Sequence, residues 1–500
     1  MKNKFVFILV LLYGTTFSQS SIGFIDNYSG IQSVIYNPAN ILDTPYKLDV
    51  NIVSLSGNIG NQYISVNPFK IISDLNFGLN NIKPTYSAFK YNRKLTSRFG
   101  IKNLNSYTIS SESSSNRNAY GNVTVLGPSF LWTINKYNAV AFTSSIKAYG
   151  HAFKLNSILY NNVTNKSYSN VSINSIEELQ TLKDNLGITP RNYSQVFSWF
   201  EAGFSYAGVI SHTASNFLKF GTTLKLLRGI RTGAIYSSDL NLDFQFNQND
   251  PQNSTLDFTG NITNLYSRVG ANFGMGLDIG FVYEKRDKTF PINLRDRYGN
   301  IYFAKAPYSY KIGVSITNLG FLKYNNVHTN FDQPNQINID LTSQNYSFRI
   351  KDYLAINNLE TNTKRYFLPS TASVNFDYHL YRRWFLNTNF DVFMLAYDHN
   401  KNIKYVSNLV VSPRYESRHF SAFLPMSINK FGVFTAGIGF RTGYFFAGSS
   451  SIFTNVSNYS KAGNFFLGFK IPIYNKKAIK EYKNSLNHKL ISPPKLKSRR

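Results

Sequence analysis

Alternation of apolar and polar residues, sustained over roughly ten residues at a time, constrains the fold of this chain more than any other feature. From Phe273 to Tyr283 the odd positions are apolar or aromatic, and the even positions are mostly Gly or acidic. Successive side chains of a strand point to opposite faces, so such a segment has one apolar and one polar face. The same pattern recurs at residues 140–147, 310–317, 374–379, 384–392 and 465–473.

The length of these segments favours strands that cross a bilayer. A tilted transmembrane strand needs about 9–11 residues, whereas strands of soluble proteins average about five or six. Their polar faces are rich in Gly, Ser and Asn, which would make a poor sandwich core. Because lipid offers no partner to an open strand edge, such strands must close on themselves. We therefore predict an all-β fold, a transmembrane antiparallel β-barrel of roughly 14 to 18 strands in the outer membrane of a Gram-negative bacterium.

Composition agrees with the alternation. Charged residues make up 16% of the chain, against about 25% in ordinary soluble domains. Aromatic residues also make up 16%, yet the mean hydropathy is only −0.24. Strands that present an apolar residue to lipid and a polar one to the lumen produce this combination. A large soluble β-sandwich or propeller is the alternative interpretation.

Both ends of the chain carry segments that we expect to lie outside the barrel. Residues 1–18 combine Lys2 and Lys4 with an apolar run, the pattern of a signal peptide cleaved after Ser18. Residues 475–500 form a basic tail with nine Lys or Arg and one Glu. We expect this periplasmic tail to be a solvated, disordered end, or else a contact to peptidoglycan or to a periplasmic partner protein.

Charge and motifs limit the partners and the chemistry. A net charge of +27 predicts anionic partners, which for an exported barrel are membrane lipids and lipopolysaccharide rather than nucleic acid. The chain has no Cys, which excludes metal sites built on thiolates. Its seven His occur without an HExxH motif, and no GxSxG or phosphate-binding glycine motif is present. We predict no catalytic residue, no metal, no cofactor and no enzymatic activity.

Polar stretches rich in Asn and Ser predict long loops on the outer face of the barrel. These stretches are 153–195, 245–265, 285–307 and 320–368. Residues 175–187 begin with a capping-box pattern and place Ile and Leu on one helical face, which predicts one short loop helix. This helix is either a lid over the barrel mouth or a short element that orders a long loop.

The segment after the signal peptide resembles a known family, and so do several later motifs. Residues 28–30 (YSG) and 36–40 (YNPAN) resemble the N-terminal element of FadL-type long-chain fatty-acid transporters and their Bacteroidetes relatives, including the PorV-like proteins. Other stretches resemble a Bacteroidetes family of outer-membrane barrels of unknown function, the DUF5723 type. These stretches are 126–130 (LGPSF), 199–207 (WFEAGFSYA), 225–229 (KLLRG), 276–280 (GLDIG), 317–320 (TNLG), 368–370 (LPS), 412–416 (SPRYE), 424–425 (LP) and 439–443 (GFRTG).

The resemblance implies an architecture and a choice of functions. It implies about 14 strands at residues 47–474 and a hatch at residues 19–46, whose motif is Tyr36, Asn37, Pro38 and Ala39. In FadL-type barrels the hatch lies in the lumen and hydrophobic ligands leave sideways through a gap in the wall. The resemblance thus implies a channel or transporter for a hydrophobic or amphipathic small molecule. The alternative is a non-conducting, PorV-like scaffold for other envelope or secretion proteins, and an open porin is a third option.

Five charged residues fall at inward positions of predicted strands, and these are Asp278, Lys311, Asp377, Arg441 and Lys470. Charges in a membrane protein are costly unless they are paired or wet, which keeps them inside. They either fill the lumen as ion pairs or line a solute path. Asn37-Pro38 is likewise part of a hatch or an ordinary turn, and Pro128 is a wall opening or a local kink.

Overall fold

The structure, a computed structural model, describes the wall of the barrel and a segment inside it. The described residues are 26–62, 64–66, 108–110, 117–135, 137–155, 171–173, 191–213, 216–245, 254–267, 272–286, 308–331, 335–339, 346–348, 357–381, 383–394, 406–417, 419–457 and 460–474. The predicted signal peptide, the loop helix at 175–187 and the basic tail lie outside these residues and stay predictions.

Within the described residues the chain forms 24 β-strands, and all their pairings are antiparallel. The first twelve are β1 (Tyr46–Asn61), β2 (Ile64–Val66), β3 (Thr108–Ser110), β4 (Arg117–Leu126), β5 (Ser129–Thr133), β6 (Asn138–Leu155), β7 (Val171–Ile173), β8 (Arg191–His212), β9 (Asn216–Gln245), β10 (Ser254–Ser267), β11 (Phe273–Arg286) and β12 (Tyr308–Phe331). The others are β13 (Asn335–Ile339), β14 (Tyr346–Phe348), β15 (Asn357–Phe367), β16 (Thr371–Tyr381), β17 (Trp384–Phe393), β18 (Asn408–Glu416), β19 (Phe420–Phe423), β20 (Met426–Asn429), β21 (Phe434–Ala436), β22 (Ile438–Thr442), β23 (Phe445–Ser449) and β24 (Ala462–Tyr474).

Helices are few in the part of the chain that the structure describes. Two 3-10 helices, Gly30–Ile35 and Pro38–Leu42, precede β1, and one α-helix, α1 (Ile452–Ser457), joins β23 to β24. Among the same residues, no helix combines the length and the apolar composition that a bilayer crossing needs.

Twenty of the described strands form one closed wall of 14 antiparallel wall strands, whereas β2 with β3 and β7 with β14 form two separate two-stranded sheets. Six of these wall strands consist of two consecutive β-strands with a short interruption: β4 with β5, β10 with β11, β12 with β13, β15 with β16, β19 with β20, and β21 with β22. The wall closes where β1 pairs with β24, from Tyr46 opposite Tyr474 to Gly60 opposite Ala462. The predicted fold class, a transmembrane antiparallel barrel of about 14 strands, is confirmed.

Proline marks three of the interruptions. Pro128 separates β4 from β5, Pro369 separates β15 from β16, and Pro425 separates β19 from β20. Because proline cannot donate a hydrogen bond to the ladder, it favours such breaks, although Pro413 of β18 and Pro472 of β24 lie within uninterrupted strands. Pro128 therefore lies at a break of the kind that the sequence predicts.

The two ends of the barrel differ. At the turn end, where β1 begins and β24 ends, short turns join β5 to β6, β8 to β9 and β16 to β17. At the loop end, where β1 ends and β24 begins, lie α1 and the long connection from β6 to β8. The prediction of an outer-face loop at 285–307 is wrong, because this stretch joins β11 to β12 at the turn end.

Two further loop predictions are wrong in large part. Residues 245–265 include most of β10, and residues 320–368 include the end of β12 together with β13, β14 and β15. Of these strands, β10, β12, β13 and β15 continue the wall toward the loop end, whereas β14 pairs with β7 in a separate sheet. The wall strand β9 alone is 30 residues long. Strands need apolar outward residues only where they face the membrane, so their Asn- and Ser-rich ends resemble loops in composition.

The wall sorts its side chains by the alternation seen in the sequence. On β9, Leu224 and Leu226 are 61% and 56% exposed, whereas Thr223 and Lys225 are buried. The same contrast of apolar outward and polar inward residues recurs around the wall. An apolar exterior around a closed ladder suits a lipid environment, since no strand edge is left unpaired. The protein is therefore an outer-membrane β-barrel.

Candidate functional site

Residues 26–45, which we name the plug, lie inside the barrel at its turn end. The Asn37-Pro38 pair starts the second 3-10 helix: Asn37 Oδ1 accepts a hydrogen bond from the Ala39 amide at 2.9 Å. Pro38 occupies the first helical position, where the missing N–H has no helical partner to lose. The pair thus sets a local turn within the plug, and a hatch function for this motif stays a prediction.

One side of the plug is apolar. Ile31, Val34, Ile41 and Leu42 are almost fully buried in one cluster with residues of the wall. The wall residues in this cluster are Leu131 of β5, Ala139 and Ala141 of β6, and Ala207 of β8. Burial of a full aliphatic side chain contributes about 1.5–3 kcal/mol, so this face holds the plug against one sector of the wall.

The hatch motif contacts a second sector of the wall through polar groups. Asn37 Nδ2 donates to the carbonyls of Phe281 and Val314 at 3.1 and 3.3 Å. The Tyr36 carbonyl accepts a hydrogen bond from Ser315 Oγ at 2.7 Å. Asn37 therefore joins β11 and β12 to the plug with the same side chain that caps its helix.

Glycines give the plug room at this contact. A methyl group at Gly221 of β9 would collide with the backbone of Pro38 and Ala39. At Gly280 of β11 it would collide with the Asn37 side chain. The wall therefore approaches the plug so closely at these two positions that only glycine fits.

Acidic plug residues pair with basic wall residues. Asp26 accepts a hydrogen bond from Arg441 Nε of β22 at 3.0 Å. Asp43 forms ion pairs with Lys219 of β9 and with Lys311 of β12, the latter at 3.2 Å. Two of the predicted inward residues, Arg441 and Lys311, thus neutralise the plug.

The wall charges shift the acid equilibria of the plug. Burial raises the pKa of the Asp26 carboxyl, but the charges of Arg441, Arg414 and Lys470 more than offset it, so this pKa lies below its ordinary value. Burial acts in the same way on Asp43, where Lys219 and Lys311 reverse it and lower the pKa. Both carboxyls are therefore ionised in the docked plug at neutral pH.

Lys470 of β24 holds the backbone of the plug. Its ammonium donates to the Tyr28 and Ser29 carbonyls at 2.6 and 3.0 Å. It also lies 3.4 Å from Asp49 of β1, which in turn accepts a hydrogen bond from the Ile31 amide at 2.9 Å. The last strand and the first strand of the barrel thus meet at the plug.

The remaining two predicted residues, Asp278 and Asp377, pair with wall residues that the sequence analysis did not single out. Lys225 contacts Asp278 at 2.7 Å and Glu201 at 3.4 Å, and Glu201 contacts Lys147 at 3.0 Å. This row of alternating charges crosses β6, β8, β9 and β11. Each of these residues stands at a position that the apolar–polar alternation of its strand assigns to the inner face. That position is the sequence signal that could have identified it.

Asp377 of β16 connects the wall to the plug indirectly. Arg414 of β18 donates to both of its carboxylate oxygens at 2.7 Å, and Tyr308 donates to it at 2.7 Å. Asn27 of the plug donates to the Tyr308 hydroxyl at 2.7 Å. Among the described residues, no group of three or more His, Asp or Glu gathers as metal ligands would.

An apolar cluster lies in the lumen on the loop side of the charged row. It consists of Tyr149, Phe197, Trp199, Leu227, Leu322, Tyr324, Tyr366 and Leu368. Phe197 of β8 meets Tyr366 of β15 with ring centroids 5.0 Å apart, although these strands are not neighbours in the wall. The lumen is therefore not polar throughout, contrary to the prediction. The inward parity of these aromatics in the sequence could have revealed it.

The wall has a break near the plug. At Gly127 and Pro128 the ladder between β1 and the β4–β5 wall strand is interrupted, and β1 has a bulge between Asn51 and Val53. Asn51 is fully buried, and its Nδ2 donates to the Leu126 and Gly127 carbonyls at 3.1 and 2.8 Å. A side chain thus satisfies carbonyls that the interrupted ladder leaves open.

A plug residue holds this side chain in place. Gln32 Nε2 donates to Asn51 Oδ1 and to Ser54 Oγ, each at 2.7 Å. We name the three residues Gln32, Asn51 and Ser54 the seam contact. Through this contact the plug is bonded to the break in the wall. Among the described breaks, this is the one at which a wall side chain bonds both to the plug and to carbonyls of the neighbouring wall strand.

Two sequence comparisons differ in outcome. The model of a family described as "Family of unknown function (DUF5723)" matches residues 38–450, most of the chain. No curated protein sequence matches the chain.

Solved structures similar to the chain include outer-membrane barrels. A Pseudomonas aeruginosa FadL homologue is 8% identical with a TM-score of 0.46, covering 92% of this chain and 100% of its own. The deltaS2 mutant of the TodX monoaromatic hydrocarbon channel is 10% identical with a TM-score of 0.39, covering 92% and 99%. The CymD monoaromatic hydrocarbon channel is 6% identical with a TM-score of 0.32, covering 91% and 95%.

Proposed function

The chain belongs to DUF5723, a family of unknown function, and we propose that its barrel is a channel for a hydrophobic or amphipathic small molecule. In this proposal the plug controls entry to the lumen, and the molecule leaves sideways between β1 and the β4–β5 wall strand. The observation that carries the proposal is the seam contact, in which plug residue Gln32 bonds to Asn51 at the break in the wall.

The chemistry of the break supports a sideways exit. An unsatisfied carbonyl in hydrocarbon costs several kcal/mol, so the bonds from Asn51 to the Leu126 and Gly127 carbonyls stabilise the closed break. Ser129 Oγ also donates to the Gly127 carbonyl, at 3.0 Å. The residues that flank the break on its outer face are apolar: Ile52, Val53 and Phe130 are each between 41% and 46% exposed. Movement of Gln32 with the plug would release Asn51 beside an apolar surface.

The lumen supports an apolar cargo over a small ion or sugar. Its charges beside the plug are engaged in ion pairs rather than free to bind a solute. The aromatic cluster around Phe197 and Trp199 lies next to them; its side chains are buried against one another, so an apolar cargo would have to part them. An open diffusion porin is less well supported, since the plug occupies the turn end.

A reversible cross-link between plug and seam tests this proposal. The chain has no native cysteine, so Gln32→Cys with Ser54→Cys can be joined by a short bis-methanethiosulfonate and released by reductant. We expect cells carrying the joined protein to take up radiolabelled oleate at the background rate, and to regain uptake after reduction. The matched control joins Ser427→Cys to Thr435→Cys, whose hydroxyls lie 2.6 Å apart on neighbouring wall strands.

The control pair should transport equally before and after reduction. Equal uptake by the joined and released seam variants would contradict a coupled plug and exit. Uptake no faster than in cells without the protein would contradict a channel for this class of molecule altogether.

A scaffold function is the second candidate, and the dense anchoring of the plug favours it. Asp26, Asp43 and the plug backbone are held by Arg441, Lys219, Lys311 and Lys470, an arrangement suited to a permanently closed barrel. In-cell cross-linking would then capture a stable protein partner, and removal of residues 475–500 would abolish that capture. Adducts to lipid or to the protein itself alone would contradict a scaffold.

A further inference from the structure

Three basic residues stand in one row on the outer face of the wall. Arg228 of β9, Lys323 of β12 and Arg365 of β15 are exposed, and we name these three residues the outer basic row. Lys323 lies directly opposite Arg365 in the ladder. Arg228 lies opposite Phe273 of β11, and the register of β11 with β12 brings Phe273 beside Lys323. The three cations therefore lie at one level and spread over about 14 Å of the wall.

The outer basic row stands at the outer edge of the apolar band of the barrel. The outward residues of β9 between Leu218 and Leu226 are apolar, apart from Thr222. From Leu218 to Arg228 a strand advances about 33 Å, which a tilt of about 40° reduces to a height of about 25 Å, that of the apolar band of such barrels. Strand β9 begins at the turn end, and the short turns of these barrels face the periplasm. The row therefore lies among the headgroups of the outer leaflet.

The outward residues on either side of the row agree with this level. One step toward the turn end, the outward residues of the same wall strands are apolar: Leu226, Met275, Phe321 and Phe367. One step toward the loop end, Asn325 lies opposite Thr363, and their side chains share a hydrogen bond of 2.7 Å. The wall thus passes from apolar to basic to polar in two steps, as it would at a membrane surface.

The outer basic row has no acidic partner among the described residues. Among the side chains whose exposure the structure describes, every Asp and Glu is buried, so the outer face of that part of the wall carries no carboxylate. An inner basic residue such as Lys225, by contrast, contacts Asp278 at 2.7 Å. The Arg365 guanidinium lies over the Phe321 ring at 4.5 Å, a contact that orients it and occupies none of its N–H donors. The row therefore offers its charges to an anion outside the protein.

The chemistry and the level of the row define the partner. Arginine binds phosphate through paired, charge-assisted hydrogen bonds, and clusters of basic residues at a membrane surface bind anionic lipid headgroups. Three cations over about 14 Å suit a headgroup with more than one anionic group. We propose that the outer basic row binds the phosphorylated headgroup of lipopolysaccharide, with its acyl chains against Leu226, Met275 and Phe321. The proposal does not rest on the channel function, the plug or the seam contact.

Native mass spectrometry of the detergent-solubilised full chain tests the proposal. The probe is bisphosphorylated lipid A, the glycolipid anchor of lipopolysaccharide. We expect lipid A adducts on the wild-type protein, and at least fivefold fewer adducts with dephosphorylated lipid A or with phosphatidylglycerol at the same concentration. The row variant, which combines Arg228→Gln, Lys323→Gln and Arg365→Gln, should carry at least fivefold fewer lipid A adducts than the wild-type protein.

A control variant removes the same charge outside the row. It combines Lys285→Gln, Arg383→Gln and Lys430→Gln, at half-buried or exposed positions, and should bind lipid A as the wild-type protein does. Heat-modifiable gel mobility verifies that each variant is folded. If the row variant does not fold, Arg228→Gln and Arg365→Gln are measured singly, and each should lower the number of adducts.

Equal numbers of lipid A adducts on the row variant, or on both single variants, and on the control variant would overturn the proposal. Equal binding of lipid A with and without its phosphates would also overturn it, because acyl chains alone would then account for the adducts. A preference for phosphatidylglycerol would contradict lipopolysaccharide as the occupant.

Discussion

At the scale of single residues, the contact between plug and wall depends on wall positions without a side chain as much as on hydrogen bonds. Asn37 satisfies carbonyls of two wall strands, and it can do so because glycine stands opposite it at Gly280. The backbone beside it fits against Gly221 for the same reason. Small side chains on the wall are therefore part of the plug-binding surface.

Gly221→Ala is expected to displace the plug without unfolding the wall. The new methyl group would collide with backbone atoms, which cannot rotate away as a side chain can. Overpacking of this kind costs about 1–3 kcal/mol. Chymotrypsin should then cleave the plug at Tyr28 or Tyr36 severalfold faster than in the wild-type protein. Gly443→Ala is the control, since no atom lies within 4 Å of the added carbon, and equal cleavage of both variants would contradict the prediction.

The docking of the plug should depend on pH only in the acid range. A carboxyl whose pKa is lowered in the docked state stabilises docking above its pKa in the free segment, about 3.9, and this stabilisation is lost as the pH falls through the docked-state pKa. Asp26 and Asp43 both have lowered pKa values. A nitroxide at Ile35→Cys should therefore stay immobile from about pH 5 to 8 and gain mobility only below about pH 4.

Asp26→Asn should mobilise the same label in part at neutral pH and reduce the acid step. Onset of mobility near pH 6 would contradict this assignment, as would an unchanged profile in the variant.

At the scale of elements, the sequence predicts which face of a strand each side chain takes. It does not predict which side chains of different strands contact each other. Alternation alone placed Asp278, Lys311 and Lys470 on the inner face, because parity within a strand is a local property. The partner of Arg441 is Asp26, which lies 415 residues earlier and meets it only through barrel closure. The polar ends of β10 and β12 were mistaken for loops because strands beyond the membrane need no apolar face.

Gln32→Ala is expected to loosen the seam between β1 and the β4–β5 wall strand. Without Gln32, Asn51 keeps its bonds to Leu126 and Gly127 but loses the group that orients it. Uptake of oleate should rise severalfold, measured in cells as above. Ser33→Ala is the control, because the Ser33 hydroxyl bonds only to the Gly30 carbonyl within the plug. Unchanged or reduced uptake in Gln32→Ala would contradict a sealing role.

At the scale of the whole molecule, the barrel is a closed wall with a plug at its turn end and an apolar cluster on the loop side of the charged row. The ladder between β1 and β24 closes the wall without any plug residue. If the plug were absent, the inner charges of Arg441, Lys219 and Lys470 would contact water rather than lipid. The wall can therefore stay folded without the plug. The wall and the plug are thus separable parts.

Deletion of residues 19–45 should therefore leave a folded barrel that conducts ions. In planar bilayers we expect stable openings from the deletion variant and none of that size from the full chain. A variant that lacks residues 475–500 serves as the control and should behave as the full chain does. Conductance that is the same with and without residues 19–45 would contradict a plug that closes the lumen.

The pairing of β1 with β24 also sets an order of assembly. The plug is the earlier part of the chain to be made, yet Arg441 and Lys470, which hold it, arrive with the last strands. Asp26 lacks its ion-pair partner until β22 is made, and the plug backbone lacks the Lys470 ammonium until β24 is made. The plug, which is synthesised before the wall, is therefore the last part to reach its final position. A docked plug indicates that the wall is complete.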